Sequence, residues 1–425
     1  MRITRYTQGV YHQTLKQYFG FHSLKPTQAV AVNHLLNNND LLAVLPTGTG
    51  KSLIYQLTGL MLTHLTIVIS PLLALMFDQV RQLQNKNIEA ASWNCLTPPA
   101  MKQQILRRLR NGELKFLYLS PEKLRSPMVS AILERQPISQ LCIDEAHCVD
   151  QWSDEFRPQY GHIGSWLNWY QRRQARPLVS AFTATTTEFG VDVISKRLNL
   201  NKPKIVSLAC FRSNLRYQII EVPSENWKRQ ILRHILSVWQ TELGGIAIIY
   251  ASTRLDVFWV ATWLKSNGFP QTQYFHAGLS PEEKNQIMSS LNNSDNHILV
   301  ATNAFGLGID LPNVRLVVHH SPPASLGAFV QEAGRAGRNG QEAFSVVLWH
   351  ESQWLENLEF YLKSDNPELA KRKWQSARDI WHWLKKRECL SRQIVRYFRL
   401  PSTPKCSLEE CGCMYCRPKF IWNPK

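Results

Sequence analysis

The sequence predicts an α/β fold, with two parallel-sheet domains followed by a small helical unit. Three observations carry that expectation. Short apolar runs (LLAVL, LTIVIS, KFLYLS, LCID and PLVSAFTA) recur in the first half at intervals that leave room for helices. That is the pattern of parallel strands, whose connections must recross the sheet, usually as a helix. The series restarts after about residue 210 with QIIEV, GIAIIY, QTQYFHA, HILVAT, VRLVVHH and FSVVLW. From about residue 350 the strands stop, and WLENLEFYL, ELAKRKWQSARDIWHWLKKREC and SRQIVRYF take helical spacing before a run rich in cysteine. The expected domains are therefore 1–208, 209–350 and 351–425, with 209–225 linking the two sheets.

Composition narrows the function classes. A chain of 425 residues suits two or three domains. With 44% apolar and 19% charged residues it is a folded protein and not a disordered one. Lys and Arg number 49 against 32 acidic residues, and the net charge of +17 points to a polyanionic partner, nucleic acid foremost. No apolar run approaches the ~18 residues of a membrane span. The first residues, MRITRYTQGVYHQTLKQYF, lack the apolar core of a signal peptide, so the expected location is cytoplasmic. Five of the nine cysteines fall at 389–416, which suits a metal site in a reducing compartment better than a disulfide framework.

The first chemical motif is PTGTGKS at 46–52, between the apolar run LLAVL and the helical run LIYQLTGLML. Glycines let a backbone close around phosphates, and the amides of Thr47, Gly48, Thr49 and Gly50 with the helix N-terminus attract the anion. Lys51 would reach the outer phosphates of ATP, and the Ser52 hydroxyl would hold Mg²⁺. The generic phosphate-loop pattern would carry glycine where Leu45 stands. A ligand-free glycine turn would not require Lys-Ser at its end.

Such a site needs a carboxylate for Mg²⁺ and one for the attacking water. LCIDEAHC at 141–148 supplies both at a strand end: Asp144 for the metal, Glu145 for water. The third element is QEAGRAGRNG at 331–340, which opens on Gln331 and places Arg335 and Arg338 three residues apart, one helical turn. Phosphoryl transfer gains from added positive charge, and these two arginines are the candidate fingers. With the finger in the second domain and the phosphate loop in the first, ATP is expected in the cleft, where hydrolysis would open and close it.

In this order the segments resemble the RecQ family of superfamily-two DNA helicases, from about residue 15 to 416. FGFHSLKPTQ at 19–28 resembles the family's adenine-reading segment; by that resemblance Gln28 reads the adenine edge, and Lys25 stands where the family usually has arginine. SPLLALMFDQV, LYLSPEKL, FTATTT, YFHAGLS and VATNAFGLGIDLPNV follow in family order. In the last of these, Asp310 resembles the carboxylate linking the ATP and DNA sites, and Thr302 a strand-contacting position. QWSDEFRPQY at 151–160 is similar to the family's aromatic-rich loop, in which Trp152 and Phe156 would stack on bases and Arg157 would pair with phosphate. It departs from the family's QWGHDFRP at Ser153, Asp154 and Glu155, where the residue that couples DNA contact to hydrolysis is replaced.

The resemblance implies two RecA-like motor domains and a helical zinc-binding domain at the C-terminus. The activity it implies is an ATP-dependent 3′-to-5′ DNA helicase or translocase acting in DNA repair or recombination. Its partners would be single-stranded DNA and tailed or branched duplex. The cofactors are ATP, Mg²⁺ and Zn²⁺. Cys413 and Cys416 have the C-x-x-C spacing of a zinc knuckle. ECLSRQIVRYF resembles the helix that opens the family's zinc unit, with Cys389 as first ligand. Cys406 and Cys411 compete for the second place, and Cys406 is favoured because chelation by the C-x-C pair 411 and 413 is more strained. No strand pair after the last cysteine offers a strand-separating hairpin, so hydrolysis is a firmer expectation than processive unwinding. An RNA helicase on the same motor would not be expected to carry the aromatic loop and cysteine unit. A retired motor would not be expected to keep Lys51, Asp144, Glu145, Arg335 and Arg338 together.

Overall fold

Two parallel sheets form where the apolar runs fall. The computed structural model describes residues 10–151, 158–208, 212–292, 296–306, 311, 313–362, 364, 366–400, 412–416 and 421–422. In the first sheet the strands are β1 (Leu41–Val44), β2 (Leu65–Ile69), β3 (Ala90–Trp93), β4 (Phe116–Leu119), β5 (Ile138–Ile143), β6 (Leu178–Thr183) and β7 (Lys204–Ser207). They lie in the order β3-β4-β2-β5-β6-β1-β7, every pair parallel. Successive side chains of a strand point to opposite faces. Leu42 and Val44 accordingly join one buried apolar cluster, and Leu41 and Ala43 another. Both faces are covered, as an all-parallel sheet requires.

The second sheet contains β8 (Leu215–Glu221), β9 (Ile246–Tyr250), β10 (Thr272–Phe275), β11 (His297–Ala301), β12 (Val314–His319) and β13 (Ala343–Trp349). Its order is β10-β11-β9-β12-β13-β8, again all parallel. This repeats the first sheet's order strand for strand, with only an isolated bridge, Tyr217 to Cys413, at the position of β7 among the described residues. The chain divides into two compact units, the first running to residue 209 and taking in Phe398–Leu400 from near the C-terminus, the second formed by most of the rest. Helices Glu351–Leu362, Pro367–Lys385 and Leu390–Tyr397 follow β13, where the sequence placed helical spacing. Residues 412–416 and 421–422 belong to the second unit. Among the described residues no helix is long and apolar enough to cross a membrane.

The sequence reading missed β3 and β7. Both are four-residue strands, AASW and KIVS, at the two edges of the first sheet. An edge strand pairs on one side only and need not carry the long apolar run of a central one.

Candidate functional site

The first unit gathers the phosphate turn and the acidic pair at the C-terminal ends of β1 and β5, with β6 between them. β1 leads into the turn and then into helix Lys51–Met61. Gly48 and Gly50 both take φ +80°, a region open to glycine and strained for other residues. At Gly50 the space is closed as well, because a Cβ there would lie 2.5 Å from Gln28 Nε2. Thr49 folds the turn back on itself, its hydroxyl donating to the Pro46 carbonyl at 2.7 Å. Ser52 stands in the first turn of the helix, half-buried.

Gln28 is buried and braces this turn. Its Oε1 accepts from the Lys25 N–H at 2.9 Å, and its Nε2 donates to the Thr49 carbonyl at 2.8 Å. The segment expected to read adenine is thereby tied to the segment expected to hold phosphate. Lys51 Nζ is buried with no hydrogen-bond partner among the described residues. A buried ammonium without a partner is costly, and an anion removes the cost. The turn therefore fits the triphosphate of ATP.

Opposite Lys51 stands the acidic pair. β5 lies between β2 and β6, and the residues just past its end bond to each in turn: the Asp144 N–H donates to Ile69 O at 2.9 Å, and the Ala146 N–H to Phe182 O at 2.8 Å. Glu145, between them, is forced to φ +49°, a strained conformation for a residue with a side chain. The Asp144 carboxylate is buried and accepts the Glu145 N–H at 3.0 Å. Burial and the Glu145 carboxylate push the Asp144 carboxyl up to about 6, while Lys51 pulls the other way. A divalent cation there would hold it ionised.

His147 was spelled out by the DEAH motif but given no role by it. It is buried, and its Nδ1 lies 3.3 Å from both Glu145 Oε2 and Thr183 Oγ1. Burial opposes its charge, but Cys148 and Glu145 outweigh that and push it up to about 10. His147 thus bridges the Glu145 carboxylate and Thr183 in the FTATTT segment.

In the second unit the arginine segment differs from expectation. The helix Leu326–Ala333 carries Gln331, half-buried, and ends before the arginines. Arg335 and Arg338 stand on the turn that follows, not one helical turn apart on a helix. Gly334, Gly337 and Gly340 disfavour helix, and Gly337 takes φ +66°. The helix is held to the sheet by Glu332, whose carboxylate lies 3.0 Å from His319 Nε2, both buried. Arg335 is buried. Burial pushes the Tyr250 phenol up to about 12, with Arg335 beside it pulling the other way. Arg212, which the sequence reading did not single out, donates to the Gly334 carbonyl; burial lowers its pKa and Arg338 nearby adds to that. Three guanidinium groups thus share one neighbourhood, an arrangement suited to phosphate.

Thr302 is buried at the end of β11, its N–H donating to Phe275 O at 3.2 Å. Asp310, the aromatic loop with Trp152, Phe156 and Arg157, and the cysteines Cys406 and Cys411 lie outside the described residues.

Cys389, Cys413 and Cys416 come together, with all three sulfurs within 4.8 Å of one another. Cys389 and Cys413 Sγ are 3.7 Å apart. Tetrahedral zinc with Zn–S bonds of about 2.3 Å puts its sulfurs about 3.8 Å apart, so the three thiols fit three corners of such a site. Burial and the two neighbouring thiols raise the Cys416 thiol, and a bound cation would reverse this.

Comparison with known proteins agrees with this arrangement. Residues 25–192 match the DEAD/DEAH box helicase family and residues 227–340 the helicase conserved C-terminal domain. The chain is 38% identical to the ATP-dependent DNA helicase RecQ of Synechocystis sp., covering 81% of this chain and 72% of that protein. It is 36% identical to the probable ATP-dependent DNA helicase RecS of Bacillus subtilis, covering 79% and 66%. Identity to the RecQ helicase of Pasteurella multocida is 33% over 89% of this chain, which spans 58% of that protein's length. Among solved structures, the Mycobacterium smegmatis helicase Lhr, bound to single-stranded DNA and AMP-PNP, shares the fold with a TM-score of 0.63 at 17% identity, covering 93% of this chain and 55% of that one. Saccharomyces cerevisiae Dbp5, bound to RNA, does so at 0.64 and 17%, covering 88% and 91%. Those two show a fold that serves on either nucleic acid, whereas sequence identity separates the families. The chain belongs to the RecQ family of ATP-dependent DNA helicases.

Proposed function

We propose that this chain hydrolyses ATP to move along single-stranded DNA in the 3′-to-5′ direction, unwinding duplex in DNA repair or recombination. The observation that carries the reading is the buried, unpartnered Lys51 ammonium beside the raised Asp144 carboxyl. A triphosphate with Mg²⁺ supplies what each lacks, a charge of opposite sign. Lys51 and the amides of 47–50 would hold the phosphates. Ser52 and Asp144 would hold the metal, and Glu145, fixed by His147, would orient the attacking water. Gln28 and Lys25 would meet the adenine. Arg335 and Arg338, with Gln331 on the preceding helix, would supply positive charge as the γ-phosphate departs. Bound Mg²⁺ would neutralise the phosphate charge that the protein alone leaves unbalanced.

DNA would be met by Trp152, Phe156, Arg157 and Thr302, with Asp310 linking the two ligands. The zinc ion would be structural, held by Cys389, Cys413 and Cys416 with Cys406 as fourth ligand. The family's DNA helicase relatives and the net charge of +17 both favour DNA as the track.

The test is strand displacement on a short duplex with either a 3′ or a 5′ single-stranded tail, run with wild type and Lys51→Ala. The expected result is ATP-dependent release from the 3′-tailed substrate alone, abolished in Lys51→Ala while DNA binding survives. Release from the 5′-tailed substrate would reverse the polarity, and wild-type activity in Lys51→Ala would remove the phosphate role of Lys51.

A further inference from the structure

The residues that begin β8 touch two things that sequence and motif order keep far apart. On one side they hold the arginine turn. Asn214 Nδ2 donates to the Gly337 carbonyl at 2.8 Å and to the Gln341 carbonyl at 2.7 Å. Arg212 donates to the Gly334 carbonyl, and Arg216 Nε to Glu342 Oε1 at 3.0 Å. The fit is close, since a Cβ on Gly337 would lie 2.6 Å from Asn214 Nδ2. From the far side the Gly337 N–H donates to the Val314 carbonyl at 2.8 Å. Arg335 and Arg338 therefore ride on a turn whose carbonyls at 334, 337 and 341 are all fastened to the start of β8.

β8 is also the last strand of its sheet, and its other edge is taken by the cysteine segment. The Tyr217 N–H donates to Gly412 O, and the Met414 N–H to Tyr217 O, both at 3.0 Å. Cys413 and Tyr217 thus form a parallel bridge. Gly412 has no room for a side chain, because a Cβ would meet Arg216 Nη1 at 2.8 Å and Leu215 O at 3.0 Å. A second path joins the same two regions through rings. Phe329, on the helix before the arginine turn, packs on Tyr217 at 5.6 Å and on Trp383 at 4.5 Å between centroids.

We propose that residues 212–217 are a positioning clamp, with Asn214 at its centre, through which the seat of the cysteine segment on β8 sets the place of Arg335 and Arg338. The clamp's effect is on the position of the arginines, where a displacement of about 1 Å can lower a rate by about 10²-fold. This rests on the reading of the arginines as groups that act on the departing phosphate.

The reciprocal test uses Asn214→Ala and the near-isosteric Asn214→Asp, which has no N–H to give, in the full chain alongside Arg338→Ala and the double variant. Both Asn214 variants are expected to lower kcat for ATP hydrolysis by about tenfold or more, with affinity for a non-hydrolysable ATP analogue changed less than about twofold. Zinc content should stay at the wild-type level. The double variant Asn214→Ala with Arg338→Ala should be slowed by less than the product of the two single effects, because part of the Asn214 effect acts through Arg338. Hydrogen exchange gives a readout that does not depend on activity. Chelating the metal from wild type should raise exchange at the Tyr217 and Gly337 amides together. Wild-type kcat in both Asn214 variants, or effects that multiply in the double variant, would overturn the clamp while leaving the arginine reading intact. Wild-type kcat in Arg338→Ala would instead remove the arginine reading, and the clamp with it. Faster exchange at Tyr217 with Gly337 unmoved would show that the cysteine segment does not reach the arginine turn.

Discussion

Single residues at this site are placed by conflicts that their neighbours resolve. Gly50 must turn at φ +80° and leave space for the Gln28 amide, two demands that only glycine meets together. Glu145 accepts a left-handed backbone because Asp144 and Ala146 are each bonded to a different strand. Lys51 carries its ammonium into a buried place near Asp144 with no hydrogen-bond partner among the described residues, a cost that a bound phosphate would offset. The cysteines make the same kind of argument, since three thiols gather within 4.8 Å, and burial with its two neighbours raises the Cys416 thiol, which favours a cation. Metal analysis of the purified protein should give about one zinc per chain, the stoichiometry of a closed four-cysteine site. Cys389→Ser and Cys416→Ser should each lose it, while Cys95→Ser, which alters an exposed thiol outside the cluster, should retain it. Zinc retained in Cys389→Ser would remove that residue from the ligand set.

At the scale of elements, the first sheet is tied across its strand starts by one buried acid. Asp40, just before β1, is buried and pairs with Arg176 just before β6 through two hydrogen bonds, at 2.6 and 3.1 Å. It also accepts the Val179 N–H at 2.9 Å and the Asn201 N–H at 2.6 Å, so β1, β6 and the approach to β7 share one carboxylate. Removing one partner of a buried pair costs about 3–5 kcal/mol, because the other charge is left uncompensated. Arg176 is 28% exposed, so water can replace part of it. The loss for Arg176→Met should therefore sit near the low end, about 3 kcal/mol. Urea unfolding of the two proteins would measure it, with hydrolysis by the folded variant at the wild-type rate. A difference under about 1 kcal/mol would mean the pair contributes no more than a surface bridge.

Strand-level legibility followed the apolar runs. The central strands were readable because a parallel sheet covered on both faces forces continuous apolar runs, as in LTIVI and IAIIY. AASW and KIVS were not, because edge strands escape that demand. The start of β8 was overlooked for another reason. LRYQIIE carries at its second position a charged residue whose partner, Glu342, is remote in sequence, so nothing local marks Arg216 as part of a strand. Lys51, Asp144, Glu145, Arg335 and Arg338 were legible because their chemistry is spelled in short motifs. The braces of Gln28 to Thr49, His147 to Thr183 and Asn214 to Gly337 were not, since each joins segments that only the fold brings together.

Across the whole molecule two features set the function together. Each unit repeats one strand order, so a single architecture presents the phosphate turn and acidic pair in the first unit and the arginine turn in the second. The net charge of +17 favours any polyanion at low salt, an attraction that weakens as counterions compete. Charge alone does not distinguish DNA from RNA; family membership does. The most direct measurement is therefore the steady-state rate of ATP hydrolysis with single-stranded DNA, with RNA of the same sequence, and with neither, at constant salt. The account predicts a low basal rate, strong stimulation by DNA and weak stimulation by RNA. Equal rates in all three conditions, or stimulation by RNA exceeding that by DNA, would contradict it.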